Sequence, residues 1–347
     1  MIRTELRLRL GTLCGLALAV AGAAACRVGG RANTPAAETH AAAPPVCVRV
    51  DAPFSGSICS PADSARHAAI VLFGGYQPGD PMRTTALAFA RHGYVAASVV
   101  YFGLKAAEDG AASVLVDVPV EIGGRALEAI GNRPDVDPSR IAAMGASKGG
   151  EYALLVASTY PAVKAVIADV PSPFALFGLG AGGSPTGCSW SRGGKPLPCV
   201  PQDRAAGEEV WRRMQAHQPV AFRASIDASR AAASAETMAA AFFPLEHIQG
   251  PILCLAAADD QTWNSTAQCE LAMAHLRARG HPFADRMISY PDAGHLFLNA
   301  KDGPASAMNR VRSGDLEMVF GGTPEGDARA AADAWPQIYA FLAGALR

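Results

Sequence analysis

The sequence predicts an α/β fold, a mostly parallel sheet with helices on both faces. From Ala68 onward, apolar runs of strand length alternate with longer segments of helical periodicity, the pattern of strand–helix–strand units whose strands lie side by side. Half of the 347 residues are hydrophobic, and Gly (35) and Pro (25) are frequent, which supplies a core together with the many turns such a fold needs. Only 18% of residues are charged and the formal net charge is -1. No excess of positive charge is there to neutralise a phosphate backbone, so nucleic acid is not an expected partner.

Residues 1–25 read as an export signal. Arg3, Arg7 and Arg9 precede the apolar run Leu10 to Ala25, which is shorter than the roughly 20 residues of a membrane span. Ala23-Ala24-Ala25 directly before Cys26 is similar to a bacterial lipobox, with Ala23 where Leu is usual, so Cys26 is the candidate lipidation site and membrane anchor. Ordinary cleavage after an Ala-x-Ala site is the alternative, with an uncleaved anchor helix a lesser one, and the protein is expected to be exported, periplasmic or membrane-anchored. Residues 26–45, rich in Ala, Gly, Pro and Thr, read as a flexible tether, and residues 46–347 as one catalytic domain.

Within that domain the expected strands are Ala68 to Phe73, Tyr94 to Tyr101, Ile141 to Gly145, Val163 to Val170, Pro251 to Ala256 and Ala284 to Tyr290. Helices are expected near Thr84 to His92, Val118 to Ile130, Lys148 to Tyr160, Ser265 to Arg279 and Ala328 to Leu346. The stretch from Pro171 to Glu246 breaks the alternation, Gly/Pro/Ser-rich first and Ala-rich later, and reads as a lid inserted over the carboxyl ends of the strands, where ligands bind in such sheets. Its apolar side chains Phe174, Leu176, Phe177, Trp190, Trp211, Phe242 and Phe243 either line an acyl pocket or pack the insertion onto the domain. With Cys14 in the signal and Cys26 lipidated, six cysteines remain, an even number that permits disulfides in an oxidising compartment. Cys47 and Cys59, and Cys188 and Cys199, are close enough in sequence to meet, while Cys254 lies in a strand pattern and reads as a buried thiol. No metal-ligand spacing is present, and no cofactor is expected.

Gly145-Ala146-Ser147-Lys148-Gly149 has the form G-x-S-x-G and falls between a strand and a helix pattern, the context in which this turn exposes a nucleophilic serine at a helix N-terminus. The Lys148 backbone N–H is the expected first oxyanion donor. A serine hydroxyl needs a base, and His295, after the strand ending at Tyr290, stands where the last strand-to-helix loop places it. The acid should end the preceding strand. Asp260 is preferred there, with Asp259 the alternative, and whichever is not the acid reads as a turn or helix cap. The second oxyanion donor belongs to Phe73-Gly74-Gly75-Tyr76-Gln77, from Gly75 or Tyr76. This order of nucleophile, acid and histidine is that of the α/β-hydrolase fold.

Seven motifs follow one another in the chain: Val100-Tyr101-Phe102-Gly103-Leu104-Lys105, Asp117-Val118-Pro119-Val120-Glu121, Gly145 to Glu151, Cys188-Ser189-Trp190 with Gly194 to Pro198, Gly250 to Leu253, Asp259-Asp260-x-x-Trp263-x-Ser265 and Tyr290-Pro291-x-x-Gly294-His295. In this order they resemble the C-terminal catalytic domain of acyl-CoA thioester hydrolases and bile acid-CoA:amino acid N-acyltransferases. The resemblance implies Ser147 as nucleophile, the second Asp as acid and His295 as base. Family members that transfer acyl groups to amino acids carry Cys at the nucleophile, so Ser147 is similar to the hydrolytic branch. Members usually carry an N-terminal β-sandwich before this domain, and Val46 to Arg66 is too short for one. Coenzyme A thioesters are cytosolic, so an exported member implies another acyl ester or thioester as the small-molecule substrate. The leading expectation is thus a serine hydrolase. Acyl transfer to a non-water acceptor, or a catalytically inactive lipid-anchored binding protein, are the alternatives; a peptidase has less support.

Overall fold

A computed structural model describes residues 43–77, 79–103, 114–298 and 309–347. The signal, Cys26 and nearly all of the tether lie outside the described residues, as do Leu104 and Lys105. Eight strands form the main sheet: β1 (Val46–Val50), β2 (Ser55–Ser60), β3 (His67–Phe73), β4 (Val95–Val100), β5 (Val136–Ala146), β6 (Val163–Asp169), β7 (Ile252–Ala257) and β8 (Arg286–Tyr290). Their order across the sheet is β1-β2-β4-β3-β5-β6-β7-β8. Strands β3 to β8 run parallel, while β2 pairs antiparallel with both β1 and β4.

The parallel strands are legible because both of their faces are covered. β4 and β7 are buried at every position and β3 at all but its first, so they read as continuous apolar runs rather than alternating ones. One face packs on α2 (Glu121–Gly131), α3 (Lys148–Thr159) and α7 (Ser265–Ala278), through Ile122, Leu127, Tyr152, Val156, Met273 and Leu276. The other packs on α1 (Arg83–Arg91) and α8 (Pro324–Ala345), through Phe89, Trp335, Ile338 and Phe341.

Two expectations change. The helix expected from Val118 starts at Glu121, because Val118–Pro119 is drawn into a short parallel pairing with Trp190 and Ser191. Residues 46–60 form an edge hairpin, β1–β2, which extends the sheet and is stapled by Cys47–Cys59.

The insertion after β6 begins with short strands, Phe177–Leu179, Pro185–Cys188, Trp190–Arg192 and Lys195–Pro196. It continues as α4 (Arg204–Gln215), α5 (Arg223–Ala232) and α6 (Ala235–Ala241). Of its two readings, packing is the one observed for most of these apolar side chains: Phe174, Leu176 and Phe177 join Ile226 and Trp263 in a separate core, and Trp190 and Phe243 enter the main one. Trp211 is exposed on α4. Cys188 and Cys199 are bonded, and Cys254 and Cys269 are buried free thiols.

Candidate active site

Strands β3, β5, β7 and β8 all end at one edge of the sheet, and the sequence-predicted site residues sit in the loops that follow them. Ser147 joins β5 to α3 with φ 57° and ψ -122°, a backbone conformation that costs a side-chain-bearing residue on the order of 1–3 kcal/mol. The surroundings hold it there. Its N–H donates to the Asp169 carbonyl at 2.9 Å and its carbonyl accepts the Glu151 N–H at 3.0 Å. The flanking glycines are obligatory: a Cβ on Gly145 would lie 1.9 Å from the Gly149 carbonyl oxygen, and one on Gly149 would lie 2.2 Å from that of Phe73.

His295 follows β8 on a loop fixed from below. The Gly294 N–H donates to the buried Asp327 carboxylate at 2.8 Å, and the His295 N–H donates to the Phe320 carbonyl at 2.9 Å. The Trp263 indole and the imidazole are perpendicular, with ring centres 5.2 Å apart and planes at 89°, while Trp263 is itself tied by its Nε1–H to the Val170 carbonyl at 3.0 Å. Nε2 of the ring lies 2.8 Å from Ser147 Oγ and Nδ1 lies 2.9 Å from Asp260 Oδ2. With Nδ1–H donating to the carboxylate, the lone pair on Nε2 faces the serine hydroxyl, the tautomer a general base requires. Asp260 is fully buried, and its other oxygen accepts the N–H groups of Thr262 (2.8 Å) and Trp263 (3.1 Å).

Asp259, the alternative acid, points elsewhere. Its carboxylate accepts Gln261 Nε2 at 2.7 Å and the Gly322 N–H at 2.8 Å, which makes it a loop tie. The structure thus brings Ser147, His295 and Asp260 together and leaves Asp259 apart. The loop holding Gly75 and Tyr76 is also at the site: a Cβ on Gly75 would lie 3.4 Å from Ser147 Cβ and 3.9 Å from its Oγ. The Lys148 N–H is the first of α3, one of the helix-start donors without an intrahelical partner.

Side-chain contacts that are not evident in the sequence complete the surroundings. Lys148 Nζ and Glu151 Oε2 form an ion pair of 2.8 Å with both side chains buried. Glu151 Oε1 accepts the Leu176 N–H (3.0 Å) and Trp190 Nε1–H (2.5 Å), both from the insertion. Burial lowers the Lys148 ammonium and raises the Glu151 carboxyl, each opposed by the attraction of the other. Asp169, at the end of β6, is buried with Oδ1 unpartnered; burial, then the charge of Asp260, pushes its carboxyl well above the usual range. An i,i+3 Lys–Glu pair on a helix ordinarily reads as a solvated surface pair, so only the apolar character of the α3 face, Gly150 to Ala157, signalled its burial. No group of side chains suited to a metal ion occurs among the described residues.

Residues 195–347 match the family described as BAAT / Acyl-CoA thioester hydrolase C terminal, and residues 113–175 match Acetyl xylan esterase (AXE1). The chain is 33% identical over 99 residues to Acyl-coenzyme A thioesterase 6 of Homo sapiens, a match covering 28% of this chain and 23% of that protein. It is 34% identical over 100 residues to Bile acid-CoA:amino acid N-acyltransferase of Homo sapiens, covering 29% and 23%. Each match therefore spans about a quarter of the curated relative. Among solved structures, the Dienelactone Hydrolase-like Promiscuous Phosphotriesterase P91 from metagenomic libraries aligns with TM-score 0.52 at 15% identity, over 88% of this chain and all of that one. This likeness establishes the fold, an α/β-hydrolase.

Proposed function

We propose that the protein is a serine hydrolase that cleaves an acyl ester or thioester through an acyl-serine intermediate, a reading that starts from the match of residues 195–347 to the BAAT / acyl-CoA thioester hydrolase C-terminal family. One observation carries the reading: the unbroken hydrogen-bonded line from Ser147 Oγ through both nitrogens of His295 to the buried Asp260 carboxylate. Ser147 Oγ attacks the acyl carbonyl carbon as its proton passes to His295 Nε2, and Asp260 stabilises the imidazolium. The negative charge that develops on the carbonyl oxygen is met by the N–H of Lys148 and one from the Gly75–Tyr76 loop. As the tetrahedral species collapses, His295 returns its proton to the departing alcohol or thiol. A water molecule, deprotonated by the same imidazole, then attacks the acyl-serine and releases the carboxylic acid.

The proposed substrate is a small acyl ester or thioester. A screen of p-nitrophenyl esters and acyl-CoA thioesters of two to twelve acyl carbons, with Ser147→Ala as control, tests the reading. Burial of each further methylene in an acyl pocket contributes about 0.8 kcal/mol, close to fourfold in kcat/KM. Because most of the insertion's aromatics are committed to packing, the rise is expected to stop within the short chains. A steady rise to twelve carbons contradicts that; turnover undiminished in Ser147→Ala contradicts the mechanism.

Export and lipidation at Cys26 belong to the same proposal. Two bonded cysteine pairs in the described residues support an oxidising compartment. No described helix is long and apolar enough to cross a membrane.

A further inference from the structure

We infer that Tyr101, held in place by Trp190 and Glu151, is a positioning residue that sets the oxyanion loop against Ser147. The inference rests on the acyl-serine reading above and names the residues that make its electrostatic site rigid.

The loop after β3 needs an external brace. Gly74 and Gly75 carry no side chain to restrain them, and an oxyanion donor is effective only if it is already in place when charge develops. The brace is visible at three successive points. Phe73, at the strand end, lies edge-on to Tyr152 (4.9 Å, 90°) and Tyr101 (6.1 Å, 77°). The Gly74 carbonyl accepts a hydrogen bond from the Tyr101 hydroxyl. The Tyr76 ring stacks on Phe102 (5.7 Å, 9°), the residue after Tyr101.

Tyr101 is fixed in turn. Its ring stacks on Tyr152 (4.7 Å, 15°) and lies 6.0 Å from Trp190, which is 4.8 Å from Tyr152. Trp190 is fully buried, and its Nε1–H ends on Glu151, the same carboxylate that pairs with Lys148. The two expected oxyanion donors therefore share one frame: Lys148 enters it directly through its ammonium, and the Gly74–Tyr76 loop through Tyr101 and Trp190. A buried ion pair is a poor device for stability, since apolar residues of similar volume serve as well or better. Here it sets the register of the insertion and the aromatic stack on the helix that starts at the nucleophile. Burial holds the Tyr101 hydroxyl well above the usual tyrosine range, so it remains a donor through neutral and mildly alkaline pH.

The test is Tyr101→Phe in the full chain, which removes the donor to Gly74 and keeps the ring. Three quantities are read per active site, counted by fluorophosphonate titration: kcat and KM on p-nitrophenyl acetate, and the inhibition constant of a trifluoromethyl ketone, whose carbonyl forms a hemiketal oxyanion with Ser147. Losing a whole oxyanion donor costs on the order of a hundredfold or more, and loosening one is expected to lower kcat about tenfold with KM within twofold. The ketone should weaken by the same factor as kcat/KM. Trp190→Phe, which removes the hydrogen bond to Glu151, should show a smaller loss of the same kind and serves alone if Tyr101→Phe does not fold. An unchanged ketone affinity, or a rise in KM at constant kcat, overturns the positioning role. A wild-type chain that takes no fluorophosphonate label instead overturns the acyl-serine reading beneath it.

Discussion

Asp259 and Asp260 are adjacent in sequence, yet exchanging each for Asn should have consequences separated by about three decades. Asp260 Oδ1 already accepts two backbone N–H groups and Oδ2 faces His295 Nδ1. In Asp260→Asn the amide oxygen is best kept on the two N–H donors, which turns the NH2 toward Nδ1. The ring must then accept there and carry its proton on Nε2, pointing at Ser147 Oγ with no lone pair for the serine proton. A wrong tautomer in an otherwise intact triad costs about 10⁴ in kcat. Asp259→Asn keeps one of its two contacts, to Gln261 or to Gly322. Its cost is about 1 kcal/mol of stability and at most a few-fold in rate. The assay is kcat/KM on p-nitrophenyl acetate near pH 8, with a thermal melt of each variant to show that both fold. Equal losses in the two variants, or the larger loss in Asp259→Asn, refute the assignment of the acid.

Three further outcomes are expected. Asp169 has a folded pKa above its unfolded one, so wild-type stability falls as pH rises from about 4 toward the folded value; Asp169→Asn, which does not titrate, should gain in Tm over wild type across that window, and parallel Tm–pH curves contradict this. Opening the Cys188–Cys199 loop with Cys188→Ser/Cys199→Ser, a sequence separation of 11, should cost roughly 2–3 kcal/mol, measured by urea unfolding; an unchanged midpoint counts against it. Cys26→Ser should release the protein from the membrane fraction or block its processing, and an unmodified N-terminus on wild-type protein from the soluble periplasm removes the anchor.

What could be read from the sequence was what local chemistry encodes. The Ser147 turn announces itself because glycines at 145 and 149 are the only residues that admit the close approach of β5, α3 and β3. The parallel strands stand out because they are buried on both faces. What escaped depends on partners distant in the chain. Val118 leaves its helix to pair with Trp190, and Glu151 is buried by Leu176 and Trp190, which arrive 25 and 39 residues later. The strand β2, Ser55–Ser60, is short on apolar side chains and is not among the expected strands; it forms where β4 lies against it. Choosing between Asp259 and Asp260 as the residue facing the imidazole required the geometry of the loop, in which the Gly321–Gly322 segment takes one carboxylate and His295 the other.

Trapping shows whether Ser147 carries the acyl group during turnover. Wild-type protein treated with a fluorophosphonate, digested and analysed by mass spectrometry should carry one adduct, on the peptide containing Ser147, and a brief pulse of p-nitrophenyl acetate quenched in acid should place an acetyl group at the same residue. Ser147→Ala should take neither. Turnover of the ester by a wild-type chain that shows no modification at Ser147, or equal labelling of Ser147→Ala, would rule out Ser147 as the nucleophile.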